Sequence, residues 1–204
     1  KMDKVGAIIL AAGLSRRMGE RNKLLLPIGD VPMIRHVVET YLTAIDGEVC
    51  VVTGFEAVRI ETALSGLPVR LVHNHQFEKG QPFSVQAGLI GASETEHLLI
   101  GLGDQPQLTS DDLRTLIRAH LAANTAKISI PHQGKIRGNP IIVPADMRTR
   151  LLTDKTNPGC GKFTRANPDL AQYIPLLQPG FFNDIDTPAA LADFQRIASE
   201  GVTR

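Results

Sequence analysis

Short apolar runs alternate with amphipathic stretches from one end of this chain to the other. The runs "VGAIILAA" (Val5 to Ala12), "EVCVVT" (Glu48 to Thr53), "VRLVH" (Val69 to His73), "HLLIGL" (His97 to Leu102), "KISIP" (Lys127 to Pro131) and "PIIVP" (Pro140 to Pro144) predict strands. Their hydrophobicity is nearly continuous, as in strands covered on both faces. Between them, Ile34, Val37, Val38, Tyr41, Leu42 and Ile45 follow Pro32 at the spacing of one buried helix face. Thr109 with Asp112 reads as a capping box opening a helix that buries Leu113, Leu116, Ile117 and Leu121. Thr187 followed by Pro188 reads as the start of a last helix carrying Leu191, Phe194 and Ala198. Strand and helix in alternation predict an α/β fold with a mostly parallel sheet covered on both faces.

Composition narrows this to one domain of 204 residues with 43% hydrophobic content. Lys and Arg number 22 against 21 Asp and Glu, so any basic patch must be local. Aromatics are 4% and Trp is absent, which removes the stacking platforms of single-stranded nucleic-acid binders and argues against nucleic acid as a partner. No apolar run approaches the ~18 residues of a membrane helix, so no membrane partner is expected. Lys1 and Lys4 before "VGAIILAAGL" imitate a short signal peptide, but Asp3 interrupts the basic region and "SRRMG" follows as a loop. Cys50 and Cys160 form no CxxC pair and no zinc spacing, and Cys50 in "EVCVVT" reads as a buried thiol. A soluble protein of the reducing cytoplasm is the expectation.

In sheets of this kind ligands gather where the strands end at their carboxyl termini. Three loops therefore carry the candidate chemistry. After the first strand comes "ILAAGLSRRMGERNK", in which Gly13 allows close approach of an anion to the backbone and Arg16, Arg17 and Lys23 supply charge for a polyphosphate. It is not a P-loop, since Gly19 comes one residue late and is followed by Glu20, and Ser15 occupies the second glycine position of the dinucleotide fingerprint. The second loop is "GDQPQL" with Asp104, and the third is "NDIDTP" with Asp186. Two carboxylates with phosphate oxygens are a usual way of holding Mg²⁺. Taken singly, Asp186 could serve the dipole of the following helix and Asp104 the turn before Pro106. Convergence of all three loops at one sheet edge favours a shared site.

"ILAAGLSRRMG" with Lys23, "GQPFSVQAGL" (Gly80 to Leu89), "GDQP", "RGNP" (Arg137 to Pro140) and "NDIDTP", in this order, resemble the MobA-like nucleotidyltransferases, most closely the molybdenum cofactor cytidylyltransferase branch. The resemblance implies a Rossmann-like three-layer nucleotidyltransferase fold and attack of an acceptor phosphate on the α-phosphorus of a nucleoside triphosphate, releasing pyrophosphate. It implies that the backbone of Leu10, Ala11, Ala12 and Gly13 contacts the nucleotide, that Arg17 and Lys23 neutralise its phosphates, and that Asn74, Gly80 and Ser84 border base and ribose. Asp104 and Asp186 would hold Mg²⁺. Ala12, in "LAAG" where guanylyl-transferring relatives read "LAGG", implies CTP, its methyl facing the base edge.

The acceptor is less tightly specified. "RGNP" replaces the "RGHP" of the cytidylyltransferases, leaving Asn139 as a neutral acceptor-binding amide, and "TDKTNPGCGKFTRANPD" replaces a "GDxGAR"-like segment. Lys155, Lys162 and Arg165 suit an anionic acceptor or a solvated helix face equally. A phosphorylated pterin, a sugar or polyol phosphate, or a carrier role delivering finished cofactor to a molybdoenzyme or its chaperone are the readings left open. His73 and His75 lack a third partner for a metal.

Overall fold

The computed structural model describes residues 4–19 and 21–201. Lys1, Asp3 and Glu20, which entered the reading of the N-terminus and the first loop, lie outside the described residues. In chain order the elements are β1 (Val5–Ala11), β2 (Pro27–Ile28), β3 (Val31–Pro32), α1 (Met33–Ala44), β4 (Val49–Thr53), α2 (Ala57–Ala63), β5 (Val69–His73), α3 (Gln81–Gly91), β6 (His97–Leu102), α4 (Ser110–Ala122), β7 (Ile128–Gln133), β8 (Ile136–Arg137), β9 (Ile141–Pro144), α5 (Ala145–Thr153), α6 (Cys160–Ala166), β10 (Ala171–Pro175) and α7 (Pro188–Gly201). One sheet runs β10-β7-β9-β6-β1-β4-β5, with β8 folded back on β7, while β2 and β3 form a separate small hairpin.

The continuous apolar runs are read by both faces of this sheet. Ala7, Ile9 and Ala11 of β1 join Val49 and Val51 of β4 in a cluster with Ile34, Val38 and Tyr41 of α1 and Leu113 and Leu116 of α4. Ile8, Cys50 and Val52 point the other way, onto Val85 and Leu89 of α3, Leu151 of α5 and Phe163 of α6. Ile8 and Ile9 are both fully buried, each burial stabilising by about 1.5–3 kcal/mol. Three layers, helix–sheet–helix, follow from this alternation.

Several elements escape the periodicity reading. Helix α3 meets the sheet through small residues: a methyl added at Gly88 would lie 2.7 Å from Ile8 Cγ2. Its contact face therefore interrupts Val85 and Leu89 with a glycine that only a bare backbone fits. Strand β10 is a short edge strand whose Tyr173 is exposed, and α2 and α6 span only 7 residues each.

Pairing directions set the functional edge. β1 pairs parallel to β4 and β6, and β4 to β5, whereas β9 runs antiparallel to β6 and β7. β9 thus begins where its neighbours end, so Arg137 and Asn139 arrive at the same edge as the loops after β1 and β6. Among the described residues no helix is long and apolar enough to cross a membrane.

Candidate active site

The loops after β1 and β6 are bound together at the level of the backbone. Leu10 and Leu102 are register partners, and Gly103 N–H donates to Leu10 O at 3.0 Å. Ile185 N–H donates to Asp104 O at 2.8 Å, which lays the "NDIDTP" segment across the end of β6. Thr187 caps α7 through Ala190 N–H at 3.2 Å. Asp186 precedes this cap and faces the cleft, so its helix-end position and its place in the site coexist.

Lys23 stands between the two carboxylates. Its Nζ donates to Asp104 Oδ2 at 2.7 Å and to Asp186 Oδ1 at 2.7 Å. The lysine is carried on a single 3-10 turn, Lys23–Leu25, whose cap Asn22 is buried and accepts from Leu24 N–H at 3.1 Å. Arg17 Nη2 reaches Asp186 Oδ2 at 3.3 Å from an exposed position. Met18, buried beneath the same turn, anchors this loop, and Ser15 takes φ 52°, a left-handed conformation uncommon for a residue with a side chain.

Electrostatics at this edge are crowded. Burial raises the Asp104 carboxyl above its ordinary range, the Lys23 ammonium opposes that rise, and Asp186 adds to it. Burial alone would lower Lys23, but Asp104 and Asp186 outweigh it and hold the ammonium above its ordinary value. Asp184, two residues before Asp186, is pushed up to about 6 by burial and by the charges of Asp104 and Asp186. Asp104 Oδ1 is buried, and among the described residues it has no hydrogen-bond partner. Such a concentration of perturbed groups in a cleft marks a functional site.

A cleft of about 540 Å³ opens over these side chains. Leu10, Ala11, Ala12, Gly13, Arg17 and Lys23 line one wall, Gly80 and Ser84 another, and Asp104 and Asp186 the floor between β1 and β6. Gly13 is informative because the fold itself does not require it. Its φ is not left-handed, and a methyl there would meet nothing within 4 Å. The space beside it belongs to the cleft, open to a ligand. Ala12 is different: it is 3% exposed, and a methyl added at Gly54 would lie 2.8 Å from its Cβ and 2.5 Å from that of Phe77, in the core beneath the wall. Most of its methyl is spent on packing rather than presented to a base.

Two predicted residues stand outside the lining. Asn74 is buried behind it, donating through Nδ2 to Ser84 Oγ at 2.9 Å and accepting from Gln76 N–H at 2.9 Å, so it orients a wall residue and the turn leading to α3. Asn139 lies further along the edge, its N–H on Phe181 O at 2.9 Å. Beside it Arg137 donates through Nη2 to Thr164 Oγ1 at 2.5 Å and lies 5.9 Å from the Tyr173 ring. Burial holds this guanidinium below its ordinary value, with the charge of Arg165 adding to the effect. Among the described residues neither Arg137 nor Arg165 forms an ion pair with a carboxylate.

Sequence reasoning passed over Asp184, Phe77 and Gln81, all of which line the cleft. For Asp184 a signal was present: an extended D-x-D places both carboxylates on one side of the chain. His73 sits on the edge strand β5, its Nδ1 3.3 Å from Thr53 Oγ1 and its ring against His75. Among the described residues no group of three or more His, Cys, Asp or Glu side chains is gathered to hold a metal unaided. Burial pushes both thiols, Cys50 and Cys160, up to about 12, which makes them packing residues.

The comparisons agree with this architecture. The chain is 29% identical over 188 residues to the nicotine blue oxidoreductase of Paenarthrobacter nicotinovorans, covering 90% of this chain and 92% of that protein. It is 33% identical over 126 residues to the bifunctional protein GlmU of Symbiobacterium thermophilum, covering 61% of this chain and 27% of that longer protein. A nucleotidyl transferase from Methanothermobacter thermautotroptrophicus superposes with a TM-score of 0.83 at 25% identity, over 97% of this chain and 99% of that one. The MobA-like NTP transferase domain matches residues 7–170. That span takes in the loops after β1 and β6, with Lys23 and Asp104, and the chain belongs to the MobA-like NTP transferase family, whose fold is a Rossmann-like nucleotidyltransferase domain.

Proposed function

We propose that the protein transfers CMP from CTP to the phosphate of a pterin of the molybdenum cofactor class. The observation that carries the nucleotidyl-transfer half is the Lys23–Asp104–Asp186 triad, flanked by Arg17 and the open space at Gly13. Cations meet phosphates on one side and carboxylates stand ready on the other, in a cleft large enough for a nucleotide. An acceptor phosphate oxygen forms the new bond to the α-phosphorus, and the bond to the bridging oxygen of the β-phosphate breaks as pyrophosphate leaves. No side-chain nucleophile is required, because positioning and electrostatic stabilisation can carry phosphoryl-type transfer.

The site suits Mg²⁺ by the chemistry of its donors: hard carboxylate oxygens of Asp104 and Asp186, with Asp104 Oδ1 lacking a partner among the described residues. When bound there, the ion would neutralise charge on the phosphates and orient the α-phosphorus. Gly80 and Ser84, the latter set by Asn74, face the base and ribose. The acceptor enters from the β9 side, past Asn139, where Arg137 and Arg165 offer positive charge that no carboxylate among the described residues pairs. A sugar or polyol phosphate suits the same charges. CTP rests on the Ala12-bearing "LAAG" loop.

The test is pyrophosphate release by the purified protein with Mg²⁺, CTP or GTP, and molybdopterin, its molybdenum-loaded form, or polyol phosphates as acceptors. The expected result is release with CTP and the pterin. Release only with a polyol phosphate changes the acceptor, and tight pterin binding with no release under any condition assigns a carrier role. The relative named nicotine blue oxidoreductase adds a further arm, redox turnover of nicotine blue, which the proposal expects to be negative.

A further inference from the structure

We propose that Lys23 is a resident counter-ion of the metal subsite, which keeps free divalent cations out until a polyphosphate draws the ammonium away. On this view the metal enters only as its nucleotide complex. The inference rests on the assignment of Asp104 and Asp186 as metal ligands.

One ammonium occupies the point that both carboxylates face. Nζ lies 2.7 Å from Asp104 Oδ2 and 2.7 Å from Asp186 Oδ1. The second oxygen of each carboxylate gives no free entrance: Asp104 Oδ1 is buried, and Asp186 Oδ2 is taken by Arg17 at 3.3 Å. A cation arriving alone would meet Lys23 and Arg17 at the oxygens it needs, and like charges at that range repel strongly in a half-buried cleft. It would also find no third protein ligand in place, since no cluster of three such side chains stands ready among the described residues.

A polyphosphate changes both conditions. Lys23 and Arg17 line the cleft beside Gly13, where a ligand meets no side chain. Phosphate oxygens placed there give the two cations an alternative partner and supply the remaining ligands that two carboxylates cannot. The backbone under Lys23 is held by the buried Asn22 cap. The exchange therefore needs rotation of the lysine side chain between staggered rotamers rather than a shift of its backbone. Lys23 then has two successive partners, carboxylate in the free protein and phosphate in the complex.

Mn²⁺ binding followed by electron paramagnetic resonance tests this without turnover. Wild-type protein should bind Mn²⁺ alone weakly, and Lys23→Met should bind Mn²⁺ alone at least tenfold more tightly, a gain abolished by adding Asp104→Asn. Equal affinity of wild type and Lys23→Met for Mn²⁺ alone overturns the proposal. Should Lys23→Met fail to fold, the wild-type thermal midpoint decides. Mn²⁺ alone should leave it unmoved at concentrations where Mn²⁺ with α,β-methylene-CTP raises it, and an equal rise with Mn²⁺ alone overturns the proposal. A separate control isolates the underlying assignment: if Mn²⁺ bound with the analogue is indifferent to Asp104→Asn, the metal ligands themselves are misassigned, and the proposal falls with them.

Discussion

The two edges of the central sheet bury polar groups in opposite ways. At the amino-terminal edge His120 is fully buried at the end of α4, with Nδ1 2.6 Å from Ser129 Oγ and Nε2 3.0 Å from His97 Nδ1. Gln172 Nε2 extends the chain by donating to Ser129 Oγ at 3.0 Å. Every member can be neutral and every member has a partner, which is how interiors tolerate polarity. At the carboxyl-terminal edge the half-buried Asp104 and Asp186 are charged and share one lysine, and among the described residues Asp104 Oδ1 has no hydrogen-bond partner. The first arrangement serves the fold alone, and the second leaves carboxylates in want of a cation. That asymmetry locates the active edge independently of any motif.

The largest effect expected from this contrast is at Asp104 and Asp186. Replacing either by Ala should lower turnover by roughly 10³-fold or more, about 4 kcal/mol of transition-state stabilisation, while leaving circular dichroism and the unfolding transition close to wild type. Near-wild-type, Mg²⁺-dependent turnover in either variant would remove that residue from the metal site. Next in size are the cations that face phosphate. Lys23→Ala and Arg17→Ala should each cost roughly 2–4 kcal/mol in kcat/KM. A loss confined to KM for CTP, with kcat untouched, would make them ground-state anchors.

What made the active edge legible in sequence was chain order. Lys23, Asp104 and Asp186 each follow a strand or precede a helix, and a parallel sheet places such positions at one edge whatever the details of packing. Periodicity also found α1, α4 and α7, whose apolar stripes are long. It failed at α3, where Gly88 interrupts the stripe of Val85 and Leu89 at the sheet contact, and at β10, an edge strand of 5 residues with an exposed Tyr173. Asn74 and Ala12 show a different limit. Both lie at the end of a strand, as expected, but the direction of a side chain depends on neighbours distant in sequence: Ser84 for one, Gly54 and Phe77 for the other. The opposite edge was illegible for the same reason, since His97, His120, Ser129 and Gln172 come from four separate elements.

Acid should separate the edges further. Burial pushes His120 down to about 4 from its ordinary 6.5, and burial lowers His97 as well. The unfolded chain binds more protons in that interval, so stability falls as pH drops below about 6.5 and the loss from His120 is complete below about 4, on the order of 2 kcal/mol. Asp184 runs the other way. Its carboxyl is raised to about 6, so its contribution is favourable at low pH and lost as pH rises through that value. Urea unfolding between pH 7 and 4.5 should show a net loss of stability that is reduced in His120→Gln, whereas Asp184→Asn, which removes the opposing gain, should raise the midpoint at pH 7 and steepen the loss on acidification. A pH slope unchanged in both variants would break the contrast between the edges.

The smallest effect is expected where core and cleft meet, at Ala12. Had its methyl faced the base, Ala12→Gly would relax the preference for CTP over GTP directly. In the structure its Cβ is buried beside Gly54 close to Phe77, and Phe77 lines the cleft with Ala12, which gives an influence on the base a route through the position of that ring. A change in the CTP-to-GTP ratio of kcat/KM of about fivefold, near 1 kcal/mol, is therefore expected, together with a similar loss of stability from the glycine. Phe77→Leu distinguishes the two routes. If the ring transmits the effect, Ala12→Gly will leave the ratio unchanged in the Phe77→Leu background, whereas a direct contact with the base would shift it equally in both backgrounds. Ala12 would then belong to the core by packing and to the site by consequence, a residue through which the two regions are coupled.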